Sequence, residues 1–271
     1  MSGSGSQKVV AAAFRALAQS RRSVRRFEPN KDIPSHVLKD IYETTLTSPS
    51  GFNLQPTQVI MVTCQNVKDE LANHAMLGMG NIYRTKDASA IAVFCSDLQS
   101  YNGRLQRIQS LEQSNSSRDV NYLAMLPVAS TFLTTGNPLA SMVADQLSKH
   151  QPMPTLESQE VWSCKNTALL IQTYVYAVQS HGLQSCIMEG YDARRVKEIL
   201  NIPHDRYAVP MVVATGYEYQ EDIPSKKTLR LPMEEVFFQN TFGTPINTTT
   251  TTTEEDNNKE RNNTNNNDTK S

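Results

Sequence analysis

The sequence predicts a mixed fold in which helices flank a small set of buried strands. Three apolar runs have the length of strands, and they lie at Val59–Val62, Ser89–Cys95 and Tyr207–Thr215. The run at Ser89–Cys95 is apolar almost without interruption, which is typical of a central strand covered on both faces. Between the runs, apolar residues recur at helical spacing, most clearly over Val161–His181. Both strands and helices are therefore expected to contribute to the core.

Three helices are expected around the first strand. Val9–Ala18 carries an apolar stripe at helical spacing, and a second helix begins at Pro34-Ser35 and ends before Pro49. A third helix is expected over Val67–Met76. The strand Val59–Val62 lies between the second and third helices, so helices and strands alternate from the beginning of the chain.

The middle of the chain is less regular. Leu98–Ser117 is polar and predicts a surface insertion or a segment that covers a site. A short helix is expected from Pro138 to about His150. Val161–His181 then has apolar residues on more than one side, so this helix is expected to be buried, either centrally or between subunits.

The last third returns to strands and short helices. Gly182 stands where a left-handed residue would end the long helix. Leu183–Tyr191 is expected to be extended, and Asp192 is placed to cap the helix that follows. The strand Tyr207–Thr215 comes next, and Met233–Phe238 is expected to form a terminal helix or strand.

The densest chemical feature is Arg21-Arg22-Ser23-Val24-Arg25-Arg26-Phe27, which has four arginines within six residues. In extended chain, alternate side chains share a face, so Arg21, Ser23 and Arg25 can converge on one group. Guanidinium and hydroxyl donors suit phosphate oxygens. The alternatives are a solvated basic face and the remnant of a targeting segment. A second basic segment, Pro224–Leu231, could reach the same anion within one domain.

A turn-rich loop, Ser48-Pro49-Ser50-Gly51-Phe52-Asn53-Leu54-Gln55-Pro56, carries two amides and two serines between prolines. A connecting loop would explain the prolines and the glycine. It would give no particular reason for Asn53 and Gln55 to occur together, so a binding role is the second interpretation.

Composition excludes several function classes. The net charge is −1, which does not favour nucleic-acid binding, and no apolar run is long enough to span a membrane. The four cysteines form no C-x-x-C pair and the five histidines show no metal spacing, so no metal site is predicted. Scattered cysteines are typical of a reducing compartment, and a cytoplasmic location is expected. Mitochondrial import stays open, because no acidic residue precedes Glu28.

The domain boundaries follow from composition. Residues 1–8 are expected to be a flexible N-terminus, and 9–240 one folded domain. Residues 241–271 are expected to be a disordered tail, because they consist largely of Asn, Thr, Glu and Lys.

Four separated pieces together resemble the nitroreductase-like family of FMN-dependent oxidoreductases. They are the arginine segment, the loop Ser48–Pro56, the turn Gly182–Gly190, and Lys227-Thr228-Leu229-Arg230-Leu231-Pro232. The resemblance runs from about Ser20 to Phe238. It implies an α+β sandwich in which a mixed, mostly antiparallel sheet is flanked by helices, and an interlocked homodimer with FMN at two interfacial sites.

The resemblance also implies roles for particular residues. Arg21, Ser23 and Arg230 are expected to hold the phosphate and ribityl end, Arg22 to act through its backbone, and Arg25 to approach N1 and O2 of the flavin ring. Glu189 and Gly190 are expected to offer backbone N–H groups to N5 and O4. The remaining expected cofactor contacts are Pro49, Ser50, Asn53 and Gln55, which would serve the partner's FMN, and Asn81, Arg84 and Lys227.

The function implied is that of an NAD(P)H oxidoreductase that reduces nitroaromatic or quinone acceptors by ping-pong hydride transfer. No protein side chain is expected to be catalytic, because the flavin N5 carries the chemistry. The alternatives are a reductive dehalogenase-type branch and a non-catalytic FMN-binding protein of the same fold. The choice between NADH and NADPH stays open.

Overall fold

The computed structural model describes residues 3–100, 104–114, 138–222 and 228–246, together with Ala124. Their contacts divide the chain into two units, Met1–Ser225 and Lys226–Ser271. The helices and strands are α1 (Gly3–Ser20), α2 (Ser35–Thr45), β1 (Thr57–Val62), α3 (Gln65–His74), α4 (Met79–Asp87), β2 (Ala90–Asp97), α5 (Arg104–Ser114), α6 (Pro138–Leu147), α7 (Gln159–Ser180), β3 (Gln184–Met188), α8 (Ala193–Ile199) and β4 (Tyr207–Gly216).

The four strands form one sheet in the order β1-β2-β4-β3, and each neighbouring pair is antiparallel. A parallel bridge between Ser23 and Ser185 adds the arginine segment to the edge of β3. The sheet is therefore mixed and mostly antiparallel, as the sequence predicted.

Strand β2 is buried along its whole length, because helices cover both faces of the sheet. Ile91 and Val93 face a cluster that includes Leu71 of α3 and Val196 of α8. On the other face, Phe94 lies in a cluster with residues of α2 and α7. Burial on both sides explains why the sequence of this strand does not alternate.

The long helix α7 packs across one face of the sheet. Ser158 caps it by accepting a hydrogen bond from the Val161 backbone N–H at 3.2 Å. Tyr174 and Val178 are buried, whereas Val161 and Leu169 are 53% and 47% exposed in the single chain. The predicted buried helix is confirmed within two residues at each end, and its opposite side keeps apolar surface.

Two helices differ from the sequence expectation. Helix α1 begins at Gly3 instead of Val9, so the segment expected to be flexible is helical from Gly3. Gly and Ser have low helix propensity, and nothing in Gly3–Ser6 predicts this extension. Helix α4 was not predicted, because Gly80 lies inside it and the apolar pattern of nine residues is short.

The smaller unit is described from Thr228 to Ile246. It contains a 3₁₀ turn at Met233–Glu235 and a bridge between Phe238 and Pro245, and the rings of Phe238 and Phe242 lie 5.0 Å apart. The predicted tail begins at residue 241, between the two residues of this bridge. Residues 247–271 lie outside the described chain.

Within the described ranges, no helix has the length and apolar character needed to cross a membrane. The same residues contain no cluster of His, Cys, Asp and Glu that could hold a metal ion.

Candidate functional site

The arginine segment lies along the outer edge of the sheet. The Val24 backbone N–H donates to the Ser185 carbonyl at 3.3 Å, and Glu28 N–H donates to Tyr217 O at 2.8 Å. Val24 and Phe27 are each 1% exposed and anchor the segment in the core. Because these apolar side chains point inward, Ser23 and Arg25 are left exposed, with Arg21 half-buried beside them.

The arginines of this segment differ in what they contact. Arg22 donates to the carboxylate of Glu218, and the Arg26 guanidinium lies 4.7 Å from the centre of the Tyr219 ring. Arg21 and Arg25 make no ion pair or side-chain hydrogen bond with any residue that the structure describes. Two guanidinium groups are therefore available to an anion, whereas the Arg22 side chain is engaged by Glu218. The backbone role expected for Arg22 stays a prediction.

Asn81 and Arg84 of α4 connect this segment to the turn after β3. Arg84 Nε donates to the Val24 carbonyl at 3.1 Å, and Arg84 Nη1 donates to Asn81 Oδ1 at 3.1 Å. Asn81 Nδ2 in turn donates to the Gly190 carbonyl at 3.1 Å. Asn81 and Arg84 thus link the arginine segment to the turn at Gly190.

A side chain at Gly190 would collide with the Asn81 amide unless Asn81 moved. A Cβ atom built on it would lie 2.5 Å from Asn81 Nδ2. Glu189 is exposed, and the N–H of Gly190 donates to no acceptor within the described residues. The turn therefore presents a backbone N–H, that of Gly190, with no acceptor among the described residues. The role expected for it toward the flavin ring stays a prediction.

Cys186 lies on β3 beneath the same surface. Burial raises the pKa of its thiol, and the positive charges of Arg84 and Arg21 lower it in part. Both guanidinium groups are thus close enough to Cys186 to act on it electrostatically. The candidate residues Arg21, Arg22, Ser23, Arg25, Asn81, Arg84, Glu189 and Gly190 are consequently brought together at one edge of the sheet.

The loop Ser48–Pro56 is not part of this group within one chain. It leads into Thr57, which pairs with Ser96 at the far end of β2, whereas Ala90 at the near end pairs with Thr215. Thr215 is the partner of Ser185, beside the arginine segment. Ala90 and Ser96 are six residue steps apart on β2, which corresponds to about 20 Å along the strand.

Inside this loop, backbone and side chains bond to one another. The Ser50 hydroxyl accepts from the Gln55 N–H at 2.9 Å, and Gln55 Nε2 donates to Asn53 Oδ1 at 3.2 Å. Pro49 is exposed. The Gly51 N–H donates to Asn166 Oδ1 of α7 at 2.7 Å. The two amides that the sequence singled out are therefore exposed or half-buried and share one ordered turn.

The C-terminal candidates are only partly described. Arg230 is exposed, and its Nη1 donates to the Leu229 carbonyl at 3.0 Å within its own unit. Lys227 lies outside the described residues. The contact of both with the phosphate stays a prediction.

Sequence reasoning missed two residues that shape these segments. Glu218 neutralises Arg22, and no pattern around it distinguishes it from a surface carboxylate. Asn166 binds the loop from α7, four residues after Trp162 on the buried side of the helix. A polar residue on an otherwise apolar helical stripe is the signal that could have identified it.

Comparison with known proteins decides the family. The model of the nitroreductase family matches residues 18–217. The chain belongs to the nitroreductase family. The match begins just before the arginine segment and ends with β4, so it contains every candidate residue that lies in the larger unit.

Relatives extend over most of the chain. An NADH dehydrogenase of Thermus thermophilus is 27% identical over 222 residues, covering 82% of this chain and 93% of the relative. An oxygen-insensitive NADPH nitroreductase of Helicobacter pylori is also 27% identical over 222 residues, covering 82% and 94%. The oxidoreductase class predicted from the sequence agrees with both names.

Solved structures agree on the fold. A Bacillus subtilis protein assigned as a nitroreductase has a TM-score of 0.68 at 25% identity, covering 84% of this chain and 99% of its own. A protein of Exiguobacterium sibiricum, assigned as a nitroreductase and crystallised with FMN, has a TM-score of 0.66 at 17% identity, covering 83% and 96%. The α+β nitroreductase fold predicted from the sequence is confirmed.

Proposed function

We propose that the chain is an FMN-dependent NAD(P)H oxidoreductase that reduces nitroaromatic or quinone acceptors as a homodimer. The observation that carries the proposal is the meeting of Arg21 and Arg25, which have no side-chain partner among the described residues, with the Gly190 turn at the edge of β3. Family membership supports the reaction class, and the named relatives use NADH or NADPH.

The donors at this edge suit FMN chemically. Arg21 and the exposed Ser23 offer hydrogen bonds to a phosphate. Arg230 and Lys227 are assigned to the same phosphate by the sequence resemblance alone. Arg25 and the unused N–H of Gly190 offer donors to the polar edge of a flavin ring. The Glu218 carboxylate is neutralised by Arg22, so it does not repel the phosphate.

The protein's part in the reaction is binding and electrostatics. When bound, FMN supplies hydride acceptance from the nicotinamide and hydride donation to the acceptor. Arg25 places positive charge where negative charge develops, and backbone donors at Glu189 and Gly190 orient the ring. No side chain is required as an acid or base. In the proposed ping-pong scheme the nicotinamide and the acceptor would use the same flavin in turn.

The separation of the two candidate segments supports a homodimer. The loop that carries Pro49, Ser50, Asn53 and Gln55 enters β1 at Thr57, at a level about 20 Å along the sheet from the arginine segment of its own chain. We therefore assign them to the FMN held mainly by the partner subunit. The exposed Val161 and Leu169 of α7 support a covered surface between subunits.

The deciding experiment is an anaerobic absorbance scan of the purified full chain before and after addition of NADH, then NADPH, then a quinone and a nitroaromatic compound. A flavin spectrum that bleaches with a nicotinamide and returns with an acceptor supports the proposal and identifies the donor. A bound flavin that neither nicotinamide bleaches would favour the non-catalytic FMN-binding protein. A colourless chain that FMN does not reconstitute would refute the cofactor assignment.

A further inference from the structure

Both ends of helix α5 contact the loop Ser48–Pro56. Near the start of α5, Arg104 Nη1 donates to the carbonyl of Gln55 and, at 3.2 Å, to that of Thr57. Near its end, the Glu112 carboxylate accepts from Asn53 Nδ2 at 3.1 Å. The segment Leu98–Ser117, predicted as an insertion or a cover, therefore supports this loop through hydrogen bonds from its described helix α5.

The contact is supported by apolar packing. Leu105 of α5, Leu54 of the loop and Trp162 of α7 form a separate buried cluster, and Phe52 packs against it. This cluster lies apart from the two clusters that cover the sheet. Helix α5 therefore packs on the loop as well as bonding to it.

A buried carboxylate at the end of β2 orients Arg104. Asp97 is fully buried, and its Oδ2 lies 3.6 Å from Arg104 Nε. Arg206 fixes the same carboxylate with two bonds, of 3.2 Å from Nε and 2.9 Å from Nη2. Because Asp97 belongs to the central strand, it sets the Arg104 guanidinium at a fixed position relative to the sheet.

The loop needs such support because of its backbone conformation. Phe52, Asn53 and Gln55 have φ angles of 54°, 56° and 47°, in the left-handed region that residues with a Cβ rarely adopt. Residues in this region persist when the surrounding structure determines them, and they concentrate at functional sites. Asn53 and Gln55, two of the three, are the amides assigned to the cofactor.

We propose that Arg104, oriented by Asp97, is a positioning residue that holds Asn53 and Gln55 in the conformation that contacts FMN across the subunit interface. This inference rests on the proposed function, in which the loop of one chain completes the site of the other. Among the residues described, the polar contacts of Arg104 are with Gln55 of the loop, Thr57 at the start of β1, and Asp97. Its effect on the cofactor is exerted through the loop.

The first test measures FMN affinity of the full-length Arg104→Met and Arg104→Lys variants by fluorescence titration. Loss of charge-assisted bonds to two carbonyls should raise the Kd for FMN about tenfold in Arg104→Met. Arg104→Lys should lie between Arg104→Met and wild type, because an ammonium keeps the charge opposite Asp97 but not the fork. Arg107→Met is the matched control, since Arg107 is an exposed arginine on the same helix.

The second test separates positioning across the interface from a loss of stability in the variant chain. Chains carrying Arg21→Ala and Arg104→Met are co-expressed with different tags, and the mixed dimer is purified. One of its sites then has an intact arginine segment from the Arg104→Met chain and an intact loop from the Arg21→Ala chain. We expect this dimer to bind one FMN with wild-type affinity, whereas both parent homodimers bind weakly.

Each result has a definite meaning. Wild-type affinity in the Arg104→Met homodimer would overturn the inference and leave the proposed function intact. A mixed dimer with no tight FMN would also overturn it, because Arg104 would then act within its own chain. A wild-type chain that binds no FMN would instead be a failure of the proposed function.

Discussion

The guanidinium of Arg22 donates to the buried carboxylate of Glu218, which lies 196 residues further along the chain. The Glu218 side chain is 7% exposed and that of Arg22 is 31% exposed. On either side of Glu218, Tyr217 O accepts from the Glu28 N–H and the Tyr219 N–H donates to Arg26 O. These backbone bonds join the arginine segment to the chain that follows β4. Arg22 therefore fixes the segment, and Arg21 and Arg25 are left for a ligand.

Substitution of Arg22 should affect stability more than cofactor content. Arg22→Met leaves the Glu218 carboxylate buried without its partner, which should lower the free energy of unfolding by about 1–3 kcal/mol. Urea unfolding with flavin content measured in parallel checks this. Glu218→Met combined with Arg22→Met should recover part of the loss, because an apolar pair carries no desolvation cost. Loss of FMN from Arg22→Met at unchanged stability would contradict this division of roles.

Substitution of the predicted phosphate ligands should have the opposite effect. Arg21→Ala combined with Arg230→Ala should lose FMN while the dimer survives, because the Arg21 side chain makes no hydrogen bond or ion pair with the described residues. The ratio of flavin to protein absorbance and the mass in solution are the measurements. Arg194→Ala is the control, since Arg194 is exposed on α8 and forms an ion pair with Glu198 on the next turn of the same helix. Full flavin content in the double variant would remove the phosphate assignment.

The sequence predicted the sheet and its buried helix because local patterns carry that information. The apolar run at Ser89–Cys95 identified a covered strand, and Gly182 and Asp192 marked ends that the structure confirms. The arginine segment was identified from its four arginines and Gly190 by resemblance, and the structure brings them together.

Contacts between distant segments could not be predicted from local patterns. Glu218, Asn166 and Asp97 act through partners that are far away in sequence, and each resembles an ordinary polar residue in its own neighbourhood. Arg104 lies in a polar stretch whose composition indicated only a cover. The left-handed backbone at Phe52 is also invisible in the sequence, because Phe is not a residue that favours it.

Gly190 and Asn81 should be coupled. A side chain at residue 190 would lie 2.5 Å from Asn81 Nδ2, so Gly190→Ala should displace Asn81 and lower both stability and FMN affinity. Overpacking of this kind costs about 1–3 kcal/mol. Asn81→Ala removes the obstructing amide, so adding Gly190→Ala to it should cost much less than in wild type. Equal costs of Gly190→Ala in both backgrounds, measured by unfolding and flavin titration, would exclude the coupling.

Stability should fall at alkaline pH because of a buried thiol. Burial raises the pKa of Cys95 from an ordinary value of 9.0 to about 11, against a smaller opposing effect of Lys197. Above pH 9 the unfolded thiol loses its proton while the native one keeps it, so the unfolded state binds fewer protons and stability decreases. The contribution is absent below pH 9 and reaches about 2–3 kcal/mol near pH 11. Burial also raises the pKa values of Tyr174 and Tyr191, which act in the same direction.

Denaturant unfolding under reducing conditions at several pH values between about 8 and 11 tests the contribution of Cys95, because the loss of stability begins near the unfolded pKa. Cys95→Ala should lower stability at every pH through the lost packing, yet decline less steeply than wild type above pH 9. Cys64→Ala is the control, because Cys64 is exposed and its removal should leave the slope unchanged. Parallel curves for Cys95→Ala and wild type would show that the thiol has the same pKa in the folded and unfolded states. The alkaline loss of stability would then come from the buried tyrosines.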